Sequence, residues 1–202
     1  MNPNNPWDAR YASSDFVYGT EPNAFLRNQA HRLSKGAEVL CVAEGEGRNS
    51  TYLAGLGLRV TGVDASSVGM QKAQRLAEER HVEVTTVVAD LAEYDPGIDH
   101  WDAIVSIFAH LPTPIRVPLR ERLRRAMRVG GLIILEHYHP RQLEYGTGGP
   151  PDATMMSTAQ ELQADFPGWE VLHEFEGERE VIEGKLHHGL SYVTQFIAKR
   201  TV

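Results

Sequence analysis

The sequence predicts an α/β fold built on a doubly wound, mostly parallel seven-stranded sheet that ends in an antiparallel hairpin. Two observations predict it. Short runs of β-branched residues alternate with helical stretches through the middle of the chain, and the end of the chain holds two strand-like runs with no helix between them. Alternation of strand and helix indicates parallel strands joined by right-handed crossovers, whereas two strands without a crossover helix must pair antiparallel.

Hydrophobic periodicity gives the bounds of each element. Strands are expected at residues 38–43, 58–63, 84–88, 101–107 and 132–136, with the tail strands at 170–175 and 190–198. Helices are expected at 49–56, 67–79 and 115–127. In the last helix, Pro118 should lie in the first turn and Gly130-Gly131 should follow as the stop.

Composition is typical of a globular protein, with 42% hydrophobic and 23% charged residues. Since no linker is visible, residues 1–202 are expected to form a single domain. The net charge of −7 disfavours nucleic acid as a partner. One cysteine, no signal peptide and no apolar run of about 20 residues favour a cytoplasmic protein away from membranes. The number of subunits stays open.

A glycine turn follows the first strand, with the sequence Glu44-Gly-Glu-Gly-Arg-Asn-Ser50. Gly45 and Gly47 permit a tight turn and a close approach of the backbone to a ligand. Ligands in open α/β sheets bind beyond the carboxyl ends of the strands. A glycine pair between strand and helix is also common as a simple turn, so this motif needs further support.

Acidic residues end the next two strands and supply that support. Asp64 ends the second strand, where a carboxylate accepts both ribose hydroxyls, and Asp90 ends the third, where it can accept from an adenine amino group. Ser66 or Ser67 is better placed than Asp64 to cap the following helix, which leaves Asp64 free. The pattern predicts an adenosine pocket.

Charge in the glycine turn selects among adenosine cofactors. Glu44 and Glu46 would face the pyrophosphate of NAD, and like charges about 4 Å apart cost on the order of 4 kcal/mol at an effective dielectric of 20. The third glycine of the dinucleotide motif is replaced by Ser50, and no Gly-Lys-Ser or Gly-Lys-Thr follows. S-adenosylmethionine carries a sulfonium and an ammonium but no phosphate. It is the predicted cofactor, and an NAD-dependent oxidoreductase is disfavoured.

Residues 39–90 resemble motifs I to III of class I methyltransferases, whose fold is a Rossmann-like sheet of the predicted kind. More narrowly, the chain resembles the tellurite-resistance and thiopurine methyltransferase-like group of small bacterial enzymes. That likeness lies in Trp7-Asp-Ala-Arg-Tyr11, Tyr18-Gly-Thr-Glu-Pro-Asn23 and Gly47-Arg-Asn-Ser-Thr-Tyr-Leu-Ala54. The first motif departs from the group, since Cys41 stands where an acidic residue is common and Ala43 replaces the first glycine. Whether Glu44 compensates near the methionine ammonium is left open.

The resemblance implies that residues 1–30 form a helical lid whose aromatics, including Phe16, fold over the cofactor. The alternative is that these aromatics only pack a terminal helix against the sheet. The predicted cofactor-binding residues are Trp7, Tyr11, Tyr18, Glu44, Gly45, Glu46, Gly47, Asn49, Asp64, Ala65, Ser66, Asp90, Leu91, Ser106 and Ile107.

The fourth strand runs into residues 106–112, which lack the Asn/Asp-Pro-Pro-aromatic motif of amino-methyltransferases acting on nucleic acids. His110 is instead the first candidate for a general base, His137 is the second, and Arg141 is the candidate for holding an anionic acceptor. The glycine- and proline-rich residues 145–151 are expected to form a substrate flap. No metal site is predicted from His137, His139, His187 and His188, because the spacing is wrong and no cysteine supports them.

The predicted activity is methyl transfer from S-adenosylmethionine to a small molecule, with tellurite or a thiol suggested by the resemblance. A soft acceptor would need little or no base, whereas an oxygen or nitrogen acceptor would need one. Two alternatives remain: a methyltransferase acting on a macromolecule, and a non-catalytic regulatory protein that binds S-adenosylmethionine.

Overall fold

Seven strands form one mixed sheet in the order β3-β2-β1-β4-β5-β7-β6 in the computed structural model, which describes residues 5–202. The strands are β1 Glu38–Val42, β2 Arg59–Asp64, β3 Val84–Val88, β4 Trp101–Ile107, β5 Met127–Tyr138, β6 Glu170–Ile182 and β7 His188–Lys199. The first five strands are parallel to one another, and β7 pairs antiparallel with both β5 and β6. The predicted fold class is confirmed, including the final hairpin.

Six α-helices accompany the sheet within the described residues. They are α1 Pro6–Arg10, α2 Ala24–Gln29, α3 Arg48–Gly55, α4 Ser67–Glu79, α5 Thr113–Ala126 and α6 Ala159–Asp165. Short 3₁₀ helices span Ala30–Arg32, Pro140–Glu144 and Ala153–Met155. Across residues 5–202, no helix has both the length and the apolar character that crossing a membrane requires.

The central strands are buried on both faces. Leu40 of β1 and Ile104 of β4 pack with Leu123 of α5 on one side of the sheet. Val39 of β1 and Leu53 of α3 pack together on the other side. Burial on both faces explains why these strands read as nearly continuous apolar runs rather than alternating ones.

Two predicted details of α5 are wrong. Pro114 occupies the first turn, and Pro118 lies inside the helix. Both prolines are exposed, so water can reach the Pro114 carbonyl that the missing amide of Pro118 leaves unbonded. Gly130 and Gly131 do not stop the helix, because they lie within β5 at a bulge where its pairing with β4 shifts register.

The hairpin strands are longer than predicted, and α6 was not predicted. Residues 176–180 of β6 are polar and mostly exposed at the sheet edge, so they lack the apolar alternation by which a strand is recognised. A signal for α6 was present, since Thr158 and Glu161 form a capping box at its start.

Gly47 sets the distance between α3 and α4. It precedes α3 with φ +89°, and a Cβ atom there would lie 2.6 Å from both the Cα and the Cβ of Ala73. Only glycine combines this left-handed conformation with so close a helix contact. Gly47 therefore has a packing role.

Replacing Gly47 with alanine should destabilise the protein by about 2–4 kcal/mol, because backbone strain adds to overpacking. Urea unfolding measures the loss. The matched control is Gly97→Ala, since Gly97 has φ +87° but open space around its Cα. That variant should lose about 1–2 kcal/mol, from strain alone. Equal losses in the two variants would contradict the packing role.

Candidate active site

A cavity of about 960 Å³ opens at the carboxyl ends of β1 to β4. This is the edge of the sheet where doubly wound folds bind ligands, and the volume is at the top of the range of about 300–1,000 Å³ for small-molecule sites. One end, here called the acidic end, contains Glu44, Asp64 and Asp90. The opposite end, the histidine end, contains His110 and His187.

Most of the predicted site residues line this cavity. They are Trp7, Tyr11, Tyr18, Glu44, Gly45, Glu46, Asn49, Asp64, Ala65, Asp90, Leu91, Ile107 and His110. The predicted residues that do not line it are Gly47, Ser66, Ser106, His137 and Arg141.

Ser66 and Ser106 are occupied within the protein. Ser66 caps α4, as predicted, by accepting a hydrogen bond from the amide of Gly69 at 3.0 Å. Its hydroxyl also donates to Asp8 at 2.6 Å, which ties α1 to the start of α4. Ser106 lies 3.3 Å from Nε2 of His137, on the face of the sheet that α5 covers.

The structure does not bring His137 or Arg141 to the cavity. His137 is 2% exposed, and burial lowers its pKa well below the ordinary value, with Arg120 adding to the effect. The side chain of Arg141 is half exposed, pairs with Glu144 at 3.6 Å and stacks over Tyr192 at 4.4 Å. Neither position suits the role predicted for it.

Asp64 organises the acidic end. Its Oδ2 accepts from the amide of Gly45 at 2.9 Å, and its Oδ1 accepts from the amide of Ser66 at 2.8 Å. Burial raises the pKa of this carboxyl group, although these amides oppose the shift. Each carboxylate oxygen still has a lone pair to offer to a ligand hydroxyl.

Glu44 lies beneath the glycine turn. Its Oε1 accepts from the amide of Ser50 at 2.7 Å, in the first turn of α3. Burial raises the pKa of Glu44 to about 7. The carboxyl group is therefore only partly ionised at neutral pH.

Glu46 is committed to the protein rather than to a ligand. It forms a buried ion pair with Lys72, and its Oε2 accepts from the amides of Val17 at 2.8 Å and Tyr18 at 3.3 Å. Lys72 neutralises the charge of Glu46, which was expected to repel a pyrophosphate, so Glu44 is the carboxyl group of the glycine turn that remains to do so.

Residues 5–22, here called the strap, cover one side of the cavity. Trp7, Tyr11 and Tyr18 line it, with 5.8 Å between the ring centroids of Trp7 and Tyr11. Phe16 turns away, and its ring lies 5.0 Å from Nζ of Lys72. The predicted lid also included residues 1–4, which lie outside the described residues. It included α2 as well, but Phe25 of that helix is buried in the core.

At the histidine end, one ring nitrogen of His110 is engaged. Nε2 accepts from the backbone amide of Tyr138 at 3.0 Å. Burial lowers the pKa of His110 to about 3. The ring is therefore neutral with its proton on Nδ1, and it has no lone pair free to take a proton from a ligand.

His187, in the turn between β6 and β7, is a site residue that sequence reasoning missed. Its ring lies 4.5 Å from that of Tyr18 and 4.7 Å from that of Phe108, measured between centroids. Within residues 5–202 its buried Nδ1 has no hydrogen-bond partner. Burial and the nearby Arg48 lower the pKa of His187 to about 3. In the sequence, His187 stands out only as one of four histidines considered as metal ligands, for which no metal site is predicted.

A network of buried ion pairs supports the histidine end. Arg179 pairs with Glu136 at 2.6 Å and with Glu183 at 2.8 Å, and Arg48 pairs with Glu183 at 2.7 Å. Asn23, the N-cap of α2, donates to Glu183 at 3.0 Å, which joins the start of that helix to the hairpin. Apart from Arg179 and Glu183, which are four residues apart, the members come from distant parts of the sequence, so no local motif reveals the whole network.

Among the residues that the structure describes, no group of three or more His, Cys, Asp or Glu side chains is arranged to hold a metal ion.

Comparisons with known proteins agree with this geometry. Residues 39–131 match the family described as a methyltransferase domain. The chain has no significant sequence match among curated proteins.

Solved structures share the fold across nearly the whole chain. One of them has a TM-score of 0.77 at 20% identity, covering 96% of this chain and 91% of that one. Its description reads "Conversion of a Disulfide Bond into a Thioacetal Group during Echinomycin Biosynthesis". TehB from Haemophilus influenzae gives 0.73 at 19% identity, covering 96% and 66%. A TehB-like S-adenosylmethionine-dependent methyltransferase from Corynebacterium glutamicum gives 0.61 at 21% identity, covering 96% and 94%. Residues 39–131 therefore match a methyltransferase domain, and the chain as a whole shares the fold of these solved structures.

Proposed function

We propose that the protein transfers the methyl group of S-adenosylmethionine to a small molecule whose reacting atom is a soft nucleophile, such as a thiol or another chalcogen. The methyl donor would occupy the acidic end of the cavity and the acceptor the histidine end. A volume of about 960 Å³ leaves room for both molecules.

The acidic end suits this donor. Asp64 can accept hydrogen bonds from the ribose hydroxyls, and Asp90, whose Oδ1 accepts from the amide of Ala92 at 2.9 Å, can accept from the adenine amino group. We assign Glu44 to the methionine ammonium, because a partly ionised buried carboxyl group gains by pairing with a cation. Over the sulfonium, the aromatic rings of the strap would exclude water and add roughly 1 kcal/mol of cation–π attraction.

The observation that carries the choice of acceptor is the state of the histidines. An effective general base has a pKa near the working pH, whereas the pKa values of His110 and His187 are both about 3. Neither ring would take a proton from an alcohol or an ammonium. The acceptor should therefore arrive as a nucleophile, which a thiolate or a tellurite lone pair does. We assign His187 to orient it through the free Nδ1.

The chemistry then needs alignment more than acid–base catalysis. The acceptor lone pair forms a bond to the methyl carbon while the bond from that carbon to sulfur breaks, leaving neutral S-adenosylhomocysteine. Holding the three atoms in line is worth roughly 7–11 kcal/mol in favourable cases. Phe108, Leu111, Met155 and Leu186 provide apolar walls on the acceptor side.

Asp64→Asn should weaken binding of S-adenosylmethionine and S-adenosylhomocysteine by about tenfold or more, because a charged hydrogen-bond acceptor for the ribose is lost. Calorimetric titration measures both ligands, with NAD as a third that should not bind. Asp95→Asn, at an exposed turn, is the matched control and should bind like the parent protein. If the parent protein bound neither adenosyl ligand, the proposed function would be wrong.

Glu44→Gln should change stability in a pH-dependent way. The folded-state pKa of about 7 lies above the ordinary 4.5, so the native state binds a proton at Glu44 more tightly than the unfolded state does. The parent protein therefore loses stability at this group as pH rises from about 4.5 through 7. At pH 8 the variant should be more stable than the parent by up to about 3 kcal/mol, with little difference at pH 4. Urea unfolding at both pH values tests this, with the exposed Glu79→Gln as control. A constant difference across the range would exclude the shifted pKa.

The acceptor class can be read from a pH profile. With a panel of small thiols, kcat/KM should rise with pH and level off above the pKa of each thiol, because the enzyme supplies no base and only the thiolate reacts. Amines and alcohols of similar shape should react poorly. A common pKa between 6 and 7 for every acceptor, removed by His187→Asn, would instead assign His187 as a general base.

A further inference from the structure

Lys72 of α4 is buried to an extent that is rare for a lysine, with 1% of its surface exposed. Its Nζ pairs with Glu46 and donates to the backbone carbonyls of Ser13 at 3.0 Å and Asp15 at 2.6 Å, with that of Tyr11 at 3.4 Å. The ammonium group therefore bonds to the strap and to the glycine turn.

The Lys72–Glu46 pair serves both kinds of backbone group in the strap. Lys72 donates to carbonyls of residues 11–15, and Glu46 accepts from the amides of Val17 and Tyr18. Since α1 ends at Arg10, this stretch has no helix or sheet to satisfy those groups. The ion pair replaces the missing secondary structure.

The strap is also packed tightly on the glycine turn. A Cβ atom at Gly45 would lie 2.8 Å from the hydroxyl of Tyr11, and one at Gly69 of α4 would lie 2.7 Å from the carbonyl oxygen of Gly45. Glu46 is the next residue of the same turn. The strap is therefore in direct contact with the backbone turn that borders the acidic end.

We propose that Lys72 is a positioning residue which, through Glu46, holds the strap closed over the bound adenosyl ligand and slows its release. The identity of the ligand rests on the proposed function, but the closure itself is a property of the apoprotein as well. Lys72 would act through the strap, without touching the ligand.

The chain offers a matched control. Lys185 binds the same part of the strap, with Nζ 2.7 Å from Oδ2 of Asp15, but both side chains are largely exposed. Exposed pairs contribute little, because water competes for both charges. Lys185→Met therefore removes a lysine contact to the strap without removing a buried one.

The experiment compares Lys72→Met, Lys72→Met/Glu46→Gln and Lys185→Met with the parent protein. The single Lys72 variant leaves Glu46 charged and buried, so it is expected to lose stability, whereas the double variant removes both charges and should fold with stability near that of the parent. Two quantities are measured on each: hydrogen exchange of the amides in residues 11–20 without ligand, and the dissociation rate of S-adenosylhomocysteine.

In the double variant, exchange in residues 11–20 should be faster and dissociation at least about tenfold faster, because the charged donor to the strap carbonyls is gone. Lys185→Met should stay within about twofold of the parent in both measurements. If Lys72 mattered only for the stability of the fold, the double variant, whose stability is restored, would show the exchange and dissociation rates of the parent. That result would overturn the proposal. If the parent protein binds no adenosyl ligand, the proposed function fails, and exchange of the strap alone still decides whether Lys72 closes it.

Discussion

Three buried carboxyl groups meet at one glycine turn, and the free-energy cost of burying each is offset in a different way. The two oxygens of Asp64 accept from backbone amides. Glu46 is paired with Lys72, and Glu44 has a pKa of about 7, so protonation spares it part of the cost of burial. An isolated buried carboxylate costs several kcal/mol, so the surroundings of this turn must be arranged to provide these partners. Lys72 of α4 pairs with Glu46, the strap donates two amides to Glu46, and the Ser50 amide of α3 donates to Glu44.

The histidine end obeys a different constraint. The rings of His110 and His187 pack against Phe108 and Tyr138, and desolvation lowers the pKa of both histidines to about 3. The proposal of a soft acceptor rests on these neutral rings, because a ring with so low a pKa is a poor base. The cavity therefore has an end lined by carboxyl groups and an end lined by neutral histidine rings and apolar side chains.

Prediction from sequence succeeded where one local pattern decides the structure. The bounds of α4, β3 and β4 agree with those expected, and Ser66 caps α4 as predicted. It failed at Gly130-Gly131 and along β6, where pairing with neighbouring strands overrides local preference. In the site, position at a strand end identified Glu44, Asp64 and Asp90 as cavity residues but misplaced His137, which is buried beneath α5.

The sequence by itself determined the layered α/β architecture, the edge of the sheet where the cavity lies and the acidic character of its first turn. These depend on periodicity and on the parallel direction of the strands, which are local properties. Only the tertiary structure decided which carboxylates are free, which histidines have a usable lone pair and how the strap is held. The reason is that Lys72 and Glu46, or His187 and Tyr18, are brought together across long stretches of chain, and burial shifts charge states that no local pattern encodes.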